Sequence, residues 1–199
     1  MNIQVKQVSK GPDMAEFCVY INGTNSGTVL FQSNKGSVDG IIKICIFDSD
    51  NKLHEKQLKH SKHKLLKNER FYTMKDETAE NFMTSMYVRN TKLGFFEQYK
   101  SIRFYYHNCF YGLHPLDVEN ENSFIFKSGK PIAMLEEIDV DYADLHNYKM
   151  EIKDCNDCVP CVLLCSYFYI ISNFKSTKEI ILEKIYEVIN KLRKKKENK

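Results

Sequence analysis

The stretch Val159-Pro-Cys-Val-Leu-Leu-Cys-Ser-Tyr-Phe-Tyr-Ile-Ile171 sets the tightest limit on what this chain can become. Eleven of its thirteen positions are apolar, none is charged, and only Pro160 and Ser166 interrupt. Asp157 can cap a helix here, and Pro160 falls in its first turn, where a missing N–H costs little. The expected helix spans about 157–172. It has no polar face, and a helix that is apolar all round must be buried on every side. Thirteen residues rise about 20 Å, short of the roughly 30 Å hydrocarbon core of a bilayer, so protein has to surround it. Each large side chain buried there contributes about 1.5–3 kcal/mol.

What surrounds it is legible as β structure. Up to about residue 152 the chain reads as short alternating segments separated by turn signals. Phe17, Val19 and Ile21 share a face and stop at Asn22-Gly23; Ile42, Ile44 and Ile46 share another; Ser128-Gly129 closes a further hairpin. The polar, basic segment 59–70 interrupts this reading, and Phe95–Tyr99 and Ser101–Tyr106 read as two separate strands. About a dozen strands result. A flat sheet would leave half of the apolar helix wet, whereas a closed barrel encloses it and removes the sheet edges. A barrel of about eight strands fills itself with side chains, so a barrel that holds a helix needs more. The expected fold is mainly β: a closed antiparallel barrel of about twelve strands around a central hydrophobic helix, over residues 1–173. Residues 174–199 form a second unit. Ser176-Thr-Lys-Glu179 is a capping box, and Ile181, Ile185, Val188 and Leu192 repeat at helical spacing among charges. This amphipathic helix is expected to dock on the outside of the barrel.

Three strand–turn–strand units carry a resemblance. They are Ile41-Ile-Lys-Ile-Cys-Ile-Phe-Asp-Ser-Asp-Asn-Lys-Leu53, Ser123-Phe-Ile-Phe-Lys-Ser-Gly-Lys-Pro-Ile-Ala-Met-Leu-Glu136, and Tyr148-Lys-Met-Glu-Ile-Lys-Asp154 running into the apolar helix. Followed by a short uncharged helix, they resemble the tubby C-terminal-like superfamily, whose branches include the LURP-one-related proteins and the phospholipid scramblases. The resemblance covers roughly residues 3–173. It implies a twelve-stranded barrel around a central hydrophobic helix and a non-enzymatic binding module. Tubby proteins bind phosphoinositide headgroups through basic side chains on the barrel, which implies an anionic phospholipid or membrane surface as partner. The basic helix after Asn173 departs from the family pattern, in which the central helix lies at or near the C-terminus.

Charge distribution points the same way. The net charge of +3 hides two basic segments. Residues 52–70 carry seven Lys/Arg against two Glu, and residues 174–199 carry nine against four, each net +5; the remainder is net −7. Such asymmetry suits an anionic partner. The candidate lipid- or anion-binding residues are Lys56, Lys59, Lys62, Lys64 and Lys67 in the first segment and Arg193, Lys194, Lys195 and Lys196 in the second. A protein partner is the other expectation. Nucleic-acid binding through the same segments is an alternative that no RNA or DNA motif accompanies, so no nucleic acid is expected. With no signal peptide and seven cysteines, an odd number, the expected location is cytoplasmic, peripheral to a membrane where the basic segments meet one.

Cys155-x-x-Cys158-x-x-Cys161-x-x-x-Cys165 has the spacing of an iron–sulfur run. An iron–sulfur or redox protein is therefore an alternative function. Against it, no Pro follows the last Cys and no second run exists, so packing of small hydrophobes along one helix face accounts for the spacing better. His60-x-x-His63 could share a helical face and hold zinc, but no further ligand completes the set and lysines flank it. No Gly-x-Ser-x-Gly, Walker or dinucleotide fingerprint occurs, so the reading carries no catalytic residue and no cofactor.

Overall fold

Alternation decides the inside of this molecule. Side chains in a strand point to opposite faces with a period of two. Ile3 and Val5, then Ala15, Phe17, Val19 and Ile21, then Val29 and Phe31, then Ile42, Ile44 and Ile46 are all buried. Their neighbours in sequence are exposed or half-buried. The computed structural model describes residues 1–34, 40–47, 53–66, 69–76, 83–93, 97–106, 108–116, 122–140, 145–174, 184–186 and 188–189. Lys56, the strand residues between 58 and 101, Asp139, Val140 and Ile171 are described by backbone only.

The strands are β1 (Asn2–Gly11), β2 (Met14–Ile21), β3 (Thr24–Ser33), β4 (Gly40–Phe47), β5 (Leu53–Leu66), β6 (Glu69–Asp76), β7 (Met83–Leu93), β8 (Glu97–Tyr106), β9 (Cys109–Pro115), β10 (Asn122–Lys127), β11 (Lys130–Val140) and β12 (His146–Glu151). A 3-10 turn over Cys155–Asp157 leads into helix α1 (Cys158–Asn173). All pairings are antiparallel and follow chain order from β1 to β12. β1 is hydrogen-bonded on both sides: Ile3 pairs with Ile21 of β2 and with Met150 of β12.

Two hairpins turn where expected. Asn22 and Gly23 have φ of 50° and 84°, and Ser128 and Gly129 have φ of 49° and 83°. Positive φ at both central residues is the geometry whose twist matches that of the flanking strands. Register shifts occur at Gln7/Ser9, Val19/Tyr20, Lys64/Leu66, Ile125/Phe126 and Glu137/Asp139. Bulges of this kind bend a strand and increase its twist, which a curved sheet needs.

Helix α1 is buried without a break from Cys158 to Ile170. It forms one core with the inward residues of the sheet, including Ile102, Phe104, Leu113, Ile125, Leu135, Tyr148 and Met150. Ser166 tolerates the interior because its hydroxyl donates to the Val162 carbonyl at 2.9 Å, one turn back. No helix among the described residues is long and apolar enough to cross a membrane.

Three expectations need correction. The basic segment from Lys59 does not interrupt the β structure: β5 runs unbroken to Leu66 and pairs with β6. Ladder bonds hold it as a strand despite its weak β-propensity, because tertiary pairing outweighs a local preference. Phe95–Tyr99 and Ser101–Tyr106 are not two strands, since β8 is continuous from Glu97. At its two described positions the terminal stripe is not packed on the sheet: Ile185 is 48% exposed and Val188 56%, while Ile181 and Leu192 lie outside the described residues.

Candidate functional site

Asp157 occupies the N-cap position of α1, yet its carboxylate makes no capping bond. It is buried and turned to the sheet. The Tyr111 hydroxyl on β9 and the Lys127 ammonium on β10 both donate to its Oδ1, each at 2.7 Å. Tyr111 and Lys127 are register partners, so one ladder rung presents both donors. Lys127 also lies 3.7 Å from Asp154 and 5.8 Å from the centre of the Tyr111 ring. Asp154 takes over the capping of the 3-10 turn by accepting the Asn156 N–H at 3.0 Å. Burial, and then the bond to Asp157, push the Tyr111 phenol well above its usual range. The same carboxylate holds the Lys127 ammonium above its own. Tyr111 is thus a neutral donor and Lys127 a fixed cation at any ordinary pH. Neither is a base or a nucleophile, and the trio anchors the start of α1. A carboxylate beside a helix N-terminus is also favoured by the helix dipole.

The other end of α1 is held by Gln7, a polar residue on the inward face of β1. Its amide nitrogen donates to the Tyr169 hydroxyl at 2.7 Å, and its carbonyl accepts from the His146 N–H at 3.1 Å. The His146 ring in turn contacts the Glu137 carboxylate. Tyr169 packs edge-on against Phe17 at 5.1 Å and His146 at 5.2 Å, and Phe174 meets Phe31 at 4.9 Å. A buried amide needs both ends satisfied, and here both are. Sequence reading missed Gln7 and Asp157 as paired residues because their partners lie on distant strands and no local spacing announces them.

Cys158, Cys161 and Cys165 lie in the hydrophobic core, and Cys155 is half-buried; none is in a disulfide. Burial pushes the Cys161 and Cys165 thiols well above their ordinary range. A thiolate is the metal ligand and the nucleophile, so these are poor at both roles. Among the described residues no group of three or more His, Cys, Asp or Glu is placed to hold a metal ion. Native protein is therefore expected to leave Cys161 and Cys165 unlabelled by iodoacetamide and to label both on unfolding in urea, read by mass spectrometry. Rapid native labelling of both would contradict their burial. His60 and His63 also part company. They sit three apart on a strand, where residues share a face only at even spacings, and pair with Met74 and Phe71 respectively.

Of the candidate lysines, four fall on β5. Lys56 pairs with Ile44, Lys59 with Ile41, Lys62 with Tyr72 and Lys64 with Arg70. Strand alternation and the pairing of Lys56 with Ile44 put Lys56, Lys62 and Lys64 at positions of the face that carries the buried Ile42, Ile44 and Ile46 of β4, joined by Arg70 of β6, and Lys59 on the opposite face. The last β4–β5 pair is Gly40 with His60, whereas β5 and β6 stay paired as far as Leu66 and Glu69. Lys62, Lys64 and Arg70 thus lie beyond the end of β4, where the ladder continues from β5 and β6 into β7, with Arg70 paired to Val88. Lys67, Arg193, Lys194, Lys195 and Lys196 lie outside the described residues. On the outer surface of β3 to β5 a groove of about 370 Å³ is lined by Thr28, Leu30, Lys43, Cys45, Glu55 and Gln57 among others. It carries one cation and one anion, so charge alone selects no ligand for it.

No protein-family model, no curated protein and no solved structure matches this chain.

Proposed function

We propose that this chain is a non-enzymatic, tubby-like binding module, a closed twelve-stranded barrel around α1, that recognises an anionic phospholipid surface. The cyclic order of strand pairing and the unbroken burial of α1 support the barrel. One observation carries the partner. The β5–β6 register sets Lys64 opposite Arg70, two rungs from Lys62, so a basic stretch of sequence becomes three cationic positions close together on two paired strands. Each Lys or Arg near an anionic membrane contributes about 1 kcal/mol, and salt weakens that attraction. Residues 174–199 add a second basic segment, net +5.

Vesicle co-sedimentation tests the reading. Binding to phosphatidylcholine vesicles containing phosphatidylserine is expected, with none to phosphatidylcholine alone, and it should weaken as salt rises. The double variant Lys62→Ala/Lys64→Ala should lose about 2 kcal/mol, roughly 30-fold in affinity. Equal binding to neutral and anionic vesicles, or an unchanged double variant, removes the proposal.

A further inference from the structure

We propose that the C-terminal basic helix lies in the interfacial layer of an anionic bilayer, its stripe of Ile181, Ile185, Val188, Ile189 and Leu192 turned to the acyl chains. This rests on the membrane-surface reading above and names the element that inserts. Residues 184–186 and 188–189 are helical. Ile185, Tyr186, Val188 and Ile189 are 48%, 64%, 56% and 38% exposed, the densest run of exposed large hydrophobics described. At 100° per residue, Ile185, Val188 and Ile189 fall within an arc of about 100°. In the sequence the same period recurs at Ile181 and Leu192, with Tyr186 at the margin of the pattern and Glu183, Glu187 and Lys194 out of phase with it. An apolar stripe of this width needs a partner.

Three occupants compete, and charge separates them. The chain's own sheet does not cover Ile185, Val188 and Ile189, which are exposed. A second copy brings a like-charged helix, since residues 174–199 are net +5 in each. An anionic bilayer offers an apolar layer for the stripe and opposite charge for Lys191 and Arg193–Lys196 at once. Long basic side chains reach back to the headgroups while their stems stay in the apolar layer, and a tyrosine at the stripe margin suits the headgroup level. The helix lies on the membrane and does not cross it: no described helix has the length and apolarity to span.

The chain contains no tryptophan, so Tyr186→Trp makes a single reporter on the proposed insertion face. In the full-length protein, its emission is expected to shift to the blue and to be quenched by brominated acyl chains with phosphatidylserine-containing vesicles, and with no other vesicles. Adding Ile185→Asp and Val188→Asp should lower vesicle partition at least about tenfold while leaving the thermal melt of the β domain unchanged. Sedimentation with anionic vesicles without shift or quenching overturns the helix inference and leaves the membrane reading standing. A blue shift without lipid, accompanied by a dimer on size exclusion that the Asp substitutions dissociate, assigns the stripe to a second copy and also overturns it. Absence of sedimentation removes both.

Discussion

Leu164→Asp is expected to abolish soluble, folded protein. Leu164 is fully buried on α1, in a core built from both the helix and the inward residues of the sheet. The substitution removes an aliphatic side chain worth about 2–5 kcal/mol and introduces a carboxylate with no cation to meet it. A domain of this kind is stable by only about 5–15 kcal/mol in total, so the two losses together consume most of that margin. Expression in the insoluble fraction, or a soluble form lacking a cooperative melt, is the expected result. A soluble variant melting with the wild type would mean that α1 is not enclosed. Leu164→Met is the control: it conserves volume and apolarity, and should cost less than about 1.5 kcal/mol.

Asp157→Ala should be the next most damaging single change, about 3 kcal/mol, measured by urea denaturation. The ion pair with Lys127 contributes little net stability when intact, because both charges lost solvation to form it. Breaking it leaves the buried Tyr111 hydroxyl without its acceptor and Lys127 with only Asp154, 3.7 Å away. The double variant Asp157→Ala/Lys127→Met should recover much of the loss, since the remaining cation is gone. If the single variant is as stable as wild type, the trio does not anchor α1. The same groups give an alkaline limit. Tyr111, Lys127, Tyr148, Cys161 and Cys165 all have folded pKa values above their ordinary ones. A raised folded pKa contributes stability in full below the unfolded pKa and loses it as pH climbs toward the folded one. The thiols start to act near their ordinary value of 9.0, the phenols near 10.0 and the lysine near 10.5. Melting temperature should therefore fall steadily from about pH 9 upward. A flat profile to pH 11 would contradict the burial of the thiols and phenols.

How much of this was readable beforehand differs between elements for physical reasons. The central helix was readable because its signal is local and redundant. A run with no polar face has one thermodynamic solution, enclosure, and the structure buries every residue from Cys158 to Ile170. The inward faces of β1, β2 and β4 were readable because side chains alternate with period two, whatever the strand pairs with. The Asn22-Gly23 and Ser128-Gly129 turns were readable because few residue pairs accept positive φ together. β5 was not readable beyond Leu58: its Lys- and His-rich half has no apolar alternation, and only the ladder to β6 defines it.

The roles of single polar residues divide along the same line. By itself the sequence determined that Asp157 stands where α1 begins and that the cysteine run shares a helix face, because both follow from spacing along the chain. Tertiary structure decided that Asp157 binds Tyr111 and Lys127 instead of capping the helix. It decided that Gln7 holds Tyr169, 162 residues away, and that Lys64 pairs with Arg70 across the β5–β6 ladder. These are contacts between strands and a helix far apart in the chain. Periodicity states which face a residue takes, but only the register between strands states what it faces, and register is set by the sum of all ladder bonds and packing around the sheet.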